Sequence, residues 1–153
     1  MKFKYHLIIG LVISFVLVKF FNFSLLVGLT IFLASWLIDI DHYFWYGFST
    51  KDWNPIHAIK WYINSAPKWD NLFPKEKEKF KRKICVFHGI EFLLLLAIFS
   101  YFHKVFLWVL IGVAIHIAVD WIDLKIKGEP LYNKIFPFYV VKRNKNRKSL
   151  IEL

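Results

Sequence analysis

Residues Gly112–Asp123 read GVAIHIAVDWID, and this stretch decides the fold. It closes a long apolar run and carries His116 and Asp120 four residues apart. On a helix that spacing stacks an imidazole and a carboxylate on one face, one turn apart. Ionisable groups at the end of an apolar span are costly unless they face a partner or a cavity. A functional cluster is therefore the first expectation.

Three further apolar runs lie outside this stretch. With the run at about 105–122, those at about 5–21, 24–40 and 84–102 predict an all-α integral membrane bundle of four transmembrane helices, since a span needs about 20 apolar residues. Short connections at Asn22-Phe23-Ser24 and His103-Lys104 pair the runs into two hairpins, with Ser24 as an N-cap. The basic start, Lys2 and Lys4, raises the question of a signal peptide, but no small-residue cleavage site follows, and a retained span is expected. The whole chain, 1–153, reads as one membrane domain with a loop at 43–83 and a basic tail at 124–153.

Charge orients the bundle. Both termini, the loop and the tail fall on one side, and of 21 Lys and Arg only Lys19 and Lys104 lie opposite. That excess marks the cytoplasmic side, which predicts a multi-pass protein of the cytoplasmic membrane with both termini cytoplasmic. The net charge of +10 sits beside apolar runs, so anionic lipid headgroups are the expected partners and nucleic acid is not. Cys85 is the single cysteine, which excludes an intrachain disulfide and a thiolate metal cluster.

Within the loop, Asn54-Pro55 predicts a helix start, and Ile56, Ile59 and Ile63 recur at helical spacing. This predicts a cytoplasmic helix lying in the interface plane or packed on the bundle. Pro74 predicts another helix, running through the charged residues 75–83 into the third span. Residues 129–141 are expected to fold back on the domain, and 142–148 to be loose.

All four helices deliver polar groups to one level. His6 begins the first span, Asp39, Asp41 and His42 end the second, His88 and Glu91 begin the third, and His116, Asp120 and Asp123 end the fourth. Asp39/His42 and His88/Glu91 are three residues apart, so each pair shares a face. Histidines and carboxylates projecting inward from facing helices are how helical bundles build metal sites. The expected ligands are His6, Asp39, His42, His88, Glu91, His116 and Asp120, holding one or two divalent ions, zinc first and manganese or iron next. Asp41 or Glu91 is the expected catalytic base where it is not a ligand, and Asp41 and Asp123 are alternatively groups that orient a ligand. His57 and His103 fall outside the set. An ion network without metal is the competing reading.

At these residues the chain resembles a family. His6, the DIDH that closes a span (Asp39-Ile40-Asp41-His42) and the HxxxD of His116 and Asp120 look like the YdjM-like membrane-bound metal-dependent hydrolases. The resemblance implies a multi-span metal-dependent hydrolase, distantly similar to the all-helical zinc-dependent phospholipases C. It carries over His6, Asp39, Asp41, His42, His116 and Asp120 as metal or catalytic positions. Many members have an HRGxTHS-like stretch where this chain has Phe87-His88-Gly89-Ile90-Glu91-Phe92, which leaves metal number and substrate open. The expected function is thus hydrolysis of a phospholipid or another phosphoester by a metal-bound water. The alternative is a non-enzymatic membrane protein whose metal site or ion network is structural and which recruits a partner.

Overall fold

A computed structural model describes residues 3–149 as an all-α protein. The helices are α1 (Phe3–Phe20), α2 (Leu25–Leu37), α3 (Ile40–Thr50), α4 (Pro55–Asp70), α5 (Pro74–Lys77), α6 (Ile90–Phe102), α7 (Lys104–Ile126), α8 (Tyr132–Ile135) and α9 (Pro137–Asn144). The expected caps form. Ser24 Oγ accepts the Val27 amide at 3.3 Å and Asn54 Oδ1 accepts the Ile56 amide at 2.9 Å. His103 adds a cap that the sequence reading did not anticipate, its Nδ1 accepting the Val105 amide at 3.2 Å.

Helix α1 packs on α2, α2 on α7, and α7 on α6. The core between them is Ile38, Leu96, Val113 and Ile117. At Gly112 the backbones of α7 and α2 approach so closely that a Cβ would meet the Ile31 carbonyl and the Ala34 methyl. One turn further along both helices, this approach delivers His116 to Ser35.

Among the described residues two helical runs, not four, are long and apolar enough to cross a membrane: Leu25–Thr50, which joins α2 and α3 through a tightened turn, and Lys104–Ile126. Ile90–Phe102 has 13 residues and spans about 20 Å, short of the roughly 30 Å hydrocarbon layer. Helix α1 has Lys4 and Lys19 near its ends, which leaves about 21 Å of apolar helix between them.

The third helix begins at Ile90 rather than near residue 84 because the preceding backbone is committed elsewhere. The Asp41 carboxylate accepts the Phe87 amide at 2.7 Å, and the Asn144 side chain accepts the Arg82 amide at 2.8 Å. For the same reason the Pro74 helix stops after one turn. The chain then pairs with the tail, with Lys81 N–H donating to Lys148 O at 2.8 Å and Lys148 N–H to Lys79 O at 2.9 Å. The basic tail is therefore ordered through Lys148, not loose.

A buried ion cluster reinforces that junction. Glu129 pairs with Lys77 at 2.8 Å and with Arg82, while Glu78 pairs with Arg143 at 2.7 Å and Arg82 at 3.3 Å. Burial alone would raise the Glu129 carboxyl, but its hydrogen bond from Lys77 and the charge of Arg82 hold it below its ordinary value. Lys77 and Arg82 both stand over the Trp69 ring.

Candidate metal centre

The centre begins with a break in a helix. At Ile38 and Asp39 the hydrogen bonds tighten to three-residue spacing, Asp39 N–H to Trp36 O at 3.4 Å and His42 N–H to Asp39 O at 3.0 Å. The last carbonyls of α2 are left to outside partners. His116 takes one of them, with Nδ1 2.7 Å from Ser35 O. The break also turns Asp39, Asp41 and His42 toward the segment that carries His88.

Those bonds fix the tautomers. A carbonyl only accepts, so His116 Nδ1 carries the hydrogen and Nε2 the lone pair. His88 Nδ1 faces Asp41 Oδ2 at 3.1 Å, and that carboxylate likewise accepts. In the neutral ring His88 Nε2 then carries a lone pair as well. Yet the two Nε2 atoms face each other at 3.0 Å in a site where His88 and His116 are almost wholly buried. Two neutral rings so placed oppose their lone pairs, and a metal cation or a shared proton between them relieves that repulsion.

Two carboxylates supply what such a cation needs. Asp39 Oδ1 lies 3.6 Å from His88 Nε2 and 3.5 Å from His116 Nε2. Asp120 Oδ2 lies 3.5 Å and 3.4 Å from the same atoms. Donors of a tetrahedral zinc ion lie about 3.4 Å apart, close to these four separations. His88, His116 and Asp120 form one compact ligand group, and Asp39 joins His6 and His116 in a second and His42 and His88 in a third. Two imidazoles and two carboxylates are a donor set suited to zinc, manganese or iron.

The remaining residues lie around these four. The His6 ring stacks on that of His116 at 3.8 Å, with Nε2 3.2 Å from Asp120 Oδ1. His42 Nε2 is 3.5 Å from Asp39 Oδ1. The His42 side chain is 28% exposed, so the centre is most open at this edge. Cys85 Sγ is 3.5 Å from His42 Nδ1, and burial pushes this thiol up to about 11, so it stays protonated.

The two expected bases are not at the open edge. Asp41 is engaged by Phe87 and His88, which makes it the group that orients His88. Glu91 makes no ion pair with these histidines among the described residues. Its carboxylate folds over Gly89 beside Pro137, because the glycine leaves that space open. Asp123 pairs with Lys127 at 2.9 Å. His57 pairs with Asp52 at 2.8 Å, and His103 caps α7.

Sequence reasoning missed two participants. The Ser35 carbonyl has no signature in side-chain type. Lys134, on α8, reaches Asp120 Oδ2 at 2.9 Å, and its Nζ is 3.5 Å from His42 Nε2. Burial disfavours its charge, but the Asp120 carboxylate more than compensates and holds the ammonium above its ordinary range. Its only trace in sequence is a lone lysine inside the aromatic stretch 131–139. No family model, no curated protein and no solved structure matches the chain.

Proposed function

We propose that this is a membrane-embedded helical protein built around a divalent metal centre with His88, His116, Asp39 and Asp120 as its donors. One observation carries the reading: the Nε2 atoms of His88 and His116 face each other at 3.0 Å, and each lies within 3.6 Å of a carboxylate oxygen of Asp39 and of Asp120. Zinc is the first candidate, with manganese and iron next. The near-complete burial of the two histidines and Asp120 favours a closed, structural ion that ties α2, α3 and α7 to the His88 segment.

The membrane reading is supported by apolar side chains that point outward. Leu25, Leu26, Leu94, Ile98, Phe102 and Ile126 are all exposed, far more apolar surface than a protein in water displays. In this reading Leu25–Thr50 and Lys104–Ile126 cross the bilayer, and α1 and α6 pack beside them within the apolar layer. The basic segments 75–83 and 142–148 then lie at anionic headgroups on the cytoplasmic side.

A hydrolase is the second reading, in keeping with the family resemblance. It is favoured by donors left over: His6 and His42 exceed the needs of one tetrahedral ion, and His42 lies at the open edge beside Lys134. A divalent ion supplies Lewis acidity and a water of lowered pKa. In this reading Asp41 holds the His88 tautomer, and His42 Nε2 moves a proton at the exposed edge.

The experiment is the metal content of detergent-purified full-length protein, wild type beside His116→Ala and Asp120→Ala. The expected result is about one equivalent of a transition metal in wild type, lost in both variants. Wild type that takes up no metal after reloading, with folded variants, overturns the metal centre. Phosphodiester hydrolysis by the loaded protein, abolished in His42→Gln with metal retained, selects the second reading.

A further inference from the structure

Two lysines from distant parts of the chain flank the open edge of the cluster. Lys134 reaches it from α8, as described above. Lys83 comes from the irregular segment before α6, two residues ahead of Cys85, which touches His42. The Lys83 ammonium stands 4.3 Å from the centre of the Tyr62 ring and 5.7 Å from that of Trp61. Tyr62 in turn donates its hydroxyl to the His42 carbonyl at 2.7 Å, and its ring lies 5.9 Å from the His42 ring. Lys83, Tyr62, His42 and Lys134 thus form one continuous wall.

What Lys83 lacks is an anion. Among the described residues no carboxylate lies within ion-pair distance of it, although Lys77, Arg82, Lys127, Lys134 and Arg143 all have one. Burial and the charge of Lys134 bring the Lys83 ammonium down to about 8, against the weaker pull of the more distant Asp39 and Asp70 carboxylates. Placing a partly buried ammonium near a second one is costly.

We propose that Lys83 and Lys134 form an anion subsite beside the metal centre that takes a phosphate group, free or as a lipid headgroup, over the Tyr62 ring. Two ammonium groups match the charge of a phosphate monoester, close to −2 at neutral pH, and its oxygens accept from both. The subsite rests on the metal reading in one respect: an Asp120 committed to a cation no longer neutralises Lys134. Flat aromatic rings beneath the anion suit a ligand that arrives with an apolar body.

The test is calorimetric titration of zinc-loaded full-length protein in detergent with inorganic phosphate at pH 7. Wild type, Lys83→Gln, Lys83→Arg and Lys134→Gln are compared, with zinc content measured on the same samples. The expected result is that both Gln variants lose about tenfold or more in phosphate affinity, Lys83→Arg retains most of it, and zinc content is unchanged in the two Lys83 variants. Competition by short-chain phosphatidic acid at far lower concentration assigns the site to lipid headgroups, and competition by water-soluble phosphate esters alone assigns it to free phosphates. Wild type that holds zinc but binds no phosphate, or Gln variants that bind it as wild type does, overturns the subsite and leaves the metal centre standing. Wild type that takes no zinc yet binds phosphate through Lys83 does the reverse.

Discussion

Asp41 illustrates how one side chain can matter without meeting an ion. Its Oδ2 accepts from the Phe87 amide and from His88 Nδ1, so a single carboxylate ends a backbone segment and sets a tautomer. Asp41→Asn keeps the acceptor and removes the charge. The expected outcome is a folded protein whose metal affinity falls about 10–100-fold, the usual effect of losing such a partner. Competition with a chromophoric chelator measures it, and unchanged affinity refutes the orienting role. The histidines and Asp39 and Asp120 were legible in sequence because helical spacing and span direction brought them to one level. Asp41 was legible as a candidate only, since spacing cannot tell a base from the group that holds its neighbour. Glu91 misled for the same reason: it shares the His88 register, but a glycine gap draws it aside.

Among the elements, α2 and α7 form the pair on which the centre depends. Their contact at Gly112 sets the distance between His116 and Ser35 one turn away. Gly112→Val forces the two backbones apart, at a cost of about 1–3 kcal/mol for an overpacked core. It is expected to lower the thermal midpoint in detergent and to release metal, whereas Ala114→Val, on an exposed face of the same helix, changes neither. A Gly112→Val protein that keeps full metal content would show that the close contact is incidental. The apolar runs that define these helices follow from composition and period. The break at Ile38–Asp39 does not, and neither does the irregular segment before α6. Both are fixed by partners distant in sequence, such as Arg82 with Asn144, and leave no local pattern.

Across the whole molecule, the ion cluster around Glu129 joins the loop to the tail. Its folded carboxyl lies below the ordinary 4.5, so its stabilisation is complete above that value and is lost as pH falls through the folded value. Wild type is expected to lose thermal stability as pH drops below about 4.5. Glu129→Gln removes the carboxylate of Lys77 and leaves Arg82 with Glu78 alone, costs about 3 kcal/mol at pH 7 and flattens the acid dependence. Parallel midpoint-versus-pH curves for the two proteins would exclude this role. The same junction has a temporal consequence. Residues 129–148 leave the ribosome after every segment they fasten. The four proposed donors are all translated by Asp120, while Lys134 and the partner strand of residues 79–81 follow. A nascent chain therefore presents its histidines and carboxylates before Lys134 has been made, so an ion can enter during synthesis through a face that this lysine afterwards narrows.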